Sequence, residues 1–351
     1  MPNLDQYDPS GVGLQGSLFG LPFQTDDAQL VVIPVPWDVT VSYADGAALG
    51  PEAVLGASSQ VDLYVDDIPD AWKLGISMLP ISEKWAKKSK KWRKIASQYI
   101  DWLENGSPKL DRMKFAPVPR QVDEQAEKLN EWVKETALEH IKTKKMVCLL
   151  GGDHSTPLGI MQAMAETHGK FGILQIDAHA DLREAYEGFT YSHASIMYNA
   201  LKIKEVAKLV QVGIRDYCQE EAELSANSKG RVTTFYDKAI KESQYEGKTW
   251  RQWCDEIIAE LPDKVYISFD IDGLDPKLCP HTGTPVAGGF ELEQVMYLFK
   301  QVVLSGKKII GFDLNEVAPG EDEWDGNVGA RALYRMCNLM AVSQGKLKLK
   351  K

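Results

Sequence analysis

FGILQIDAHAD, residues 171–181, is a short strand-forming run that passes without a break into Asp177-Ala178-His179-Ala180-Asp181. Three other segments have the same build: MVCLL (146–150) leads into GGDHS (151–155), VYISF (265–269) into Asp270-Ile271-Asp272, and KIIGF (308–312) into Asp313-Leu314-Asn315-Glu316. Continuous apolar runs of this length suit strands buried on both faces of a parallel sheet. Residues 30–35, 209–214 and 231–235 read as further strands. Helices are expected after Gly50-Pro51, over 82–103, 121–142 and 157–168, around 203–208, and over 252–261, 291–304 and 328–342. Strand and helix therefore alternate, which predicts an open α/β fold with a mostly parallel sheet. In such a sheet ligands bind beyond the carboxyl ends of the strands, where the carboxylates and imidazoles of these four segments fall.

No internal repeat interrupts the pattern, and the proline-bearing stretch 108–119 reads as a surface connection, so residues 1–351 are read as a single domain with an N-terminal extension over about 1–28. A 44% apolar and 26% charged composition is that of a globular protein. The net charge of −10 argues against nucleic acid as a partner. Lys84, Lys87, Lys88, Lys90, Lys91, Arg93 and Lys94 surround Trp85 and Trp92, but this spacing reads as the solvated face of an amphipathic helix. No run approaches the ~20 apolar residues of a membrane span. The first residues are acidic and lack the apolar segment of a secretory signal, so a cytoplasmic location and no membrane partner are expected. Five cysteines, at 148, 218, 254, 279 and 337, are widely spaced and read as reduced thiols.

Asp177 and Asp181 bracket His179, and Asp270 and Asp272 lie two apart, a spacing by which an extended backbone turns alternate residues to one side. With His154 they would make a dense anionic cluster, destabilised by repulsion and desolvation unless cations neutralise it. Two divalent ions roughly 3.5–4 Å apart, shared by bridging carboxylates, solve that problem. Carboxylate oxygens with two imidazoles suit Mn²⁺ better than a thiolate-preferring ion, with Ni²⁺ and Co²⁺ as alternatives.

GGDHS (151–155), DAHAD (177–181), SFDIDGLDP (268–276) and EVAP (316–319) together resemble the four motifs of the ureohydrolase family, whose members include arginase, agmatinase, guanidinobutyrase and formiminoglutamase. The resemblance runs from about residue 30 to residue 340. It implies a three-layer α/β/α sandwich with a central, mostly parallel sheet, and a binuclear manganese centre, nickel serving in some members. By the same resemblance His154 and Asp181 bind one ion, His179 and Asp272 the other, and Asp177 and Asp270 bridge both. Two such ions lower the pKa of a bridging water until it is a nucleophile at neutral pH. The resemblance further implies that Glu316 holds a cationic guanidinium by charge-assisted hydrogen bonds. Asp181 would also orient the nucleophile, and His193 would deliver a proton to the departing nitrogen as a group titrating near neutrality. A small cationic guanidino substrate and a homo-oligomer, trimer or hexamer, are expected on the same grounds.

The pattern DLREAYEG…SHAS (181–195) is similar to the agmatinase branch, which makes agmatine, cleaved to putrescine and urea, the leading substrate. Guanidinobutyrate, arginine, free guanidine and formiminoglutamate stand behind it. Arg183 either reads a substrate carboxylate or pairs with Glu184 or Glu187 at the surface. His281 lines the pocket rim or is a surface histidine, and Trp37 and Tyr43 narrow the entrance or pack. A competing class is a metal-stabilised binding or assembly protein that retains the ions without catalysis.

Overall fold

The computed structural model describes residue 4 and residues 7–350. Eight strands form one sheet: β1 (Leu30–Pro34), β2 (Ile76–Met78), β3 (Met146–Leu150), β4 (Phe171–Ile176), β5 (Val206–Ile214), β6 (Val232–Tyr236), β7 (Lys264–Asp270) and β8 (Lys308–Asn315). Their order is β2-β1-β3-β8-β7-β4-β5-β6, and every pairing is parallel. After β3 the chain crosses to β4, builds outward through β5 and β6, and returns to lay β7 and β8 in the gap. The four strands that carry the motifs are thereby neighbours at the centre of the sheet.

Side chains alternate across the sheet, as strand geometry requires. Along β4, Phe171 and Ile173 join one apolar cluster with Trp37, Val133 and Met161, while Leu174 and Ile176 join another with Val54, Phe299 and Leu333. Helices Glu83–Glu104, Val118–Lys142 and Leu158–His168 cover the first face; Gly50–Ser58, Trp250–Ala259, Leu292–Leu304 and Trp324–Ser343 cover the second. The result is the expected α/β/α sandwich. The basic stretch lies in the helix Glu83–Glu104, with Trp85 buried and the Lys88 ammonium 4.5 Å above its ring. No helix among the described residues is long and apolar enough to cross a membrane.

Several elements differ from expectation. The helix expected around 203–208 is absent, because β5 starts at Val206, paired with Phe171. Ile203, Val206 and Leu209, three residues apart, imitate helical spacing while serving a turn and a strand. Strand β2 has only three residues, too few for periodicity to register. Helices Gln219–Asn227 and Asp237–Tyr245 were not anticipated, and the 108–119 connection contains a helical turn, Arg112–Phe115, that buries Phe115.

Gly151 and Gly152 let the end of β3 press against its neighbours. A Cβ at Gly151 would lie 1.9 Å from Asn315 Oδ1, and one at Gly152 would lie 1.9 Å from the Trp37 carbonyl oxygen. Gly152→Ala should therefore lower stability by about 1–3 kcal/mol or more, the usual cost of overpacking. Gly56→Ala, in the helix Gly50–Ser58 with nothing within 4 Å of its added Cβ, should instead stabilise by up to about 1 kcal/mol through helix propensity. Urea unfolding midpoints of the two variants check the pair, and equal midpoints would contradict the packing assigned to Gly152.

Candidate metal centre

Asp177 follows directly on β4 and is fully buried. One carboxylate oxygen, Oδ1, accepts the His179 amide at 2.6 Å, while Oδ2 accepts Gln175 Nε2 at 2.8 Å and lies 3.0 Å from His154 Nδ1. Asp181 sits at φ +55°, a conformation rare for a residue with a side chain. Its carbonyl holds that turn by accepting the amides of Met197 and Tyr198 at 3.0 and 3.2 Å. The strained turn brings Asp181 Oδ2 to 3.1 Å from His154 Nδ1.

Asp270 closes β7, but the chain does not leave the strand extended as its alternating spacing suggested. It coils at once into a 3₁₀ turn, Ile271–Gly273, because Asp270 Oδ1 caps the Asp272 amide at 2.9 Å. The turn separates the two carboxylates: Asp270 Oδ2 lies 3.2 Å from His154 Nδ1, and Asp272 Oδ2 lies 3.0 Å from His179 Nδ1. Two groups of ligating atoms result, His154/Asp177/Asp270 and Asp177/His179/Asp272, each with its atoms within 4.8 Å of one another. Asp177 belongs to both.

His154 is oriented from behind. Its Nε2 meets Ser268 Oγ at 2.9 Å, and that hydroxyl donates to Asp313 Oδ1 at 2.9 Å, so Nδ1 faces three carboxylates. Nδ1 is buried and itself makes no hydrogen bond. A nitrogen lone pair aimed among carboxylate oxygens is a donor set for a divalent cation, with the outer partner fixing the ring. Burial, then Asp272 and Asp177, push the Asp270 carboxyl well above its usual range; burial and Asp177 carry Asp181 up to about 7. Burial alone would lower both imidazoles, but the surrounding carboxylates hold His154 and His179 well above theirs.

Glu316, immediately after β8, also lies in the left-handed region, at φ +63°. Its amide donates to the Gly152 carbonyl and its Oε1 accepts the His154 amide, both at 2.8 Å. Oε2 is buried with no hydrogen-bond partner, and burial, reinforced by Asp153, raises this carboxyl well above the usual range. His193 opens the short turn His193–Ser195, with its Nδ1 3.3 Å from Ser192 Oγ and its ring edge-on to Tyr186. Burial, and then the positive charge of His179 and His154, press its pKa down to about 3. The direction is away from the titration near neutrality that the residue type suggests.

Above the cluster opens a cavity of about 140 Å³ lined by His179, Asp181 and His193, with Arg183, Asp216 and Thr284 at its sides. Arg183 points there, but its partner is Glu221, 3.8 Å from Nε, rather than Glu184 or Glu187, and its guanidinium lies 4.8 Å over Tyr186. His281 is not among the lining residues: Nδ1 binds Asp325 Oδ2 at 2.8 Å. Trp37 is buried edge-on against Trp85, and Tyr43 is 80% exposed and outside the lining. Sequence reading missed Asp216, Tyr217 and Glu221. A fifth strand end, GIRD at 213–216 where β5 closes, carries the signal in the polar residues that follow Ile214.

The family model described as "Arginase family" matches residues 28–340. An N(1)-aminopropylagmatine ureohydrolase of Thermus thermophilus is 33% identical over 323 residues, 92% of this chain and 94% of that protein. Among solved structures, the agmatine ureohydrolase of Thermoplasma volcanium superposes with TM-score 0.70 at 21% identity, covering 94% of this chain and 96% of that one. The proclavaminate amidino hydrolase of Streptomyces clavuligerus gives 0.71 at 22% identity, covering 95% and 99%. These two likenesses bear on the fold.

Because Asp177 contributes to both ligand groups, Asp177→Ala should remove both ions, not one, with the wild-type chain holding two. Asp270→Ala should likewise disrupt the pair if Asp270 bridges. Metal analysis of the gel-filtered proteins reads this, and two ions retained in either variant would reject the bridging assignment.

Proposed function

Since the chain belongs to the arginase family and is a binuclear-metal hydrolase of guanidino compounds, we propose that its substrate is agmatine, cleaved with water to urea and putrescine. The ions would be Mn²⁺, with Ni²⁺ or Co²⁺ as substitutes, held by His154, Asp177, His179, Asp181, Asp270 and Asp272. When bound, such a pair neutralises the buried carboxylates and supplies an acidified water at neutral pH. A cytoplasmic homotrimer or hexamer belongs to the same proposal.

The observation that carries the reading is Glu316 Oε2, a buried acceptor with no partner. Oε1 is engaged by the His154 amide, so Oε2 is the unpaired oxygen; Glu316 lies outside the lining of the 140 Å³ cavity, and a guanidinium reaching it would supply both the donor and the compensating charge. Held there, its planar carbon is presented to the cluster, and orientation replaces a bimolecular encounter. Asp181, on its strained turn, orients the attacking water. Attack forms a C–O bond at the guanidinium carbon; collapse to urea breaks the C–N bond to the tail, and both protons of the water end on the departing nitrogen, which leaves as an ammonium. A neutral His193 serves that transfer as a carrier, accepting a proton before handing it on.

For the tail, Asp216 stands 68% exposed at the cavity wall, beside Tyr217. Glu221 is occupied, accepting the Leu182 and Cys218 amides at 2.9 Å. Asp216 Oδ2 lies 3.9 Å from His179 Nε2, but its largely exposed carboxylate and the aromatic ring favour an ammonium tail over a carboxylate one. The Thermus relative, named for N(1)-aminopropylagmatine, supports a second reading, in which the agmatine tail carries an aminopropyl extension and a further cation.

Urea release should be fastest with one of these two substrates, against guanidinobutyrate, arginine, formiminoglutamate and guanidine, with Mn²⁺ or Ni²⁺ supplied. Fully loaded protein inactive on all of them would instead indicate a metal-stabilised binding protein. Glu316→Gln should retain both ions and lose substrate affinity and turnover. His193→Asn should retain both ions and lose turnover by roughly 10²–10⁴. Because the His193 pKa sits at about 3, that variant should keep any limb of the pH–rate profile near neutrality. Disappearance of such a limb would show that His193 titrates there.

A further inference from the structure

Buried amide side chains are uncommon in the middle of a parallel sheet, yet Gln175 on β4 and Gln211 on β5 are both completely buried. Strand register sets Gln175 beside Gln211, and Gln211 beside Thr234 of β6. Thr234 Oγ1 donates to Gln211 Oε1 at 2.9 Å, and Gln211 Nε2 donates to Gln175 Oε1 and to the Ala180 carbonyl, both at 2.7 Å. Gln175 Nε2 donates in turn to Asp177 Oδ2 at 2.8 Å and to the His179 carbonyl at 3.2 Å.

This chain of bonds admits one orientation. Reversing the Gln175 amide would aim its oxygen at the Asp177 carboxylate and the His179 carbonyl, setting lone pairs against lone pairs, and would turn its nitrogen toward the Gln211 nitrogen. Each amide therefore fixes the next, and the series ends with a donor on the one carboxylate common to both ligand groups. Two of its branches also end on the carbonyls of His179 and Ala180, so the whole turn 177–181 is held from within the sheet.

The geometry points to Gln175 and Gln211 as positioning residues for metal binding: a polarised relay across three strands that orients Asp177 and the turn bearing His179 and Asp181. Neither glutamine is a ligand, and Gln211 touches no ligand side chain. The inference rests on the two-ion reading of the cluster.

Gln211→Glu places an acceptor against Gln175 Oε1 and the Ala180 carbonyl, and should weaken Mn²⁺ binding by about 10–100-fold, the usual effect of losing an outer partner. Gln175→Met keeps the shape of an apolar strand interior while removing the donor to Asp177, and should weaken binding by about 10-fold. Affinity and stoichiometry are read by competition with a chelator on the full chain, and melting of the metal-free proteins serves as the control for folding. Weakened binding by Gln175→Met with an unchanged metal-free melt supports the relay, whether or not Gln211→Glu folds. Wild-type affinity in Gln175→Met, or an affinity loss matched by loss of the metal-free fold, overturns it. If wild type itself fails to take up two ions, the two-ion reading falls and the relay with it; two ions in wild type and in Gln175→Met at equal affinity reject the relay alone.

Discussion

Four carboxylates, none more than 4% exposed, converge on two imidazoles where the central strands of one parallel sheet end. Unneutralised, that much negative charge in so little water is a large penalty, and burial with the neighbouring carboxylates raises Asp181 and Asp270 above their ordinary range. Much of the surrounding structure follows from this demand. The chain order that leaves a gap after β3 and fills it last with β7 and β8 makes neighbours of four strands distant in sequence. Without that return, His154 and Asp270 would not share the sheet's centre.

Local strain is concentrated at the same place. Asp181 and Glu316 both adopt positive φ without being glycine, a conformation that persists only where surrounding contacts over-determine it. For Asp181 those contacts are the amides of Met197 and Tyr198; for Glu316 they are the Gly152 carbonyl and the His154 amide. Glycines 151 and 152 complete the arrangement by letting β3 end within contact of Asn315 and Trp37. One backbone corner thus sets both the His154 imidazole and the Glu316 carboxylate.

The parts legible in the sequence were those encoded locally. Apolar runs ending in Asp or His identify strands and the edge they serve, so β3, β4, β7 and β8, and the clustering of His154, Asp177, His179, Asp270 and Asp272, could be read before any coordinates. Elements defined by their neighbours were harder. Val206 is a strand residue because Phe171 lies beside it, a fact absent from the spacing of Ile203, Val206 and Leu209. The separation of Asp270 from Asp272 depends on a capping bond that turns an alternating pattern into a 3₁₀ coil. For His193, residue type alone suggested titration near neutrality; the fold buries the ring, which lowers its pKa, and burial is not written in the local sequence.

Strand periodicity also explains why the outer partners of the site come from the same strands as its ligands. Residues two apart on a strand face the same side, so Gln175 is set beneath Asp177, and Ser268, two before Asp270, meets His154. Asp313, also buried and polar, lies beside Ser268 in register and receives its hydroxyl. Gln175, Gln211, Ser268 and Asp313 interrupt otherwise apolar strands, and each is completely buried. Such residues cost stability unless their hydrogen bonds are completed, and Gln175, Gln211 and Ser268 make theirs toward the cluster. A polar residue on a buried strand two positions before an acidic residue at its end, as Gln175 and Ser268 are, is therefore a sign of what the strand end carries, because its desolvation is tolerated where it gives that residue a single orientation.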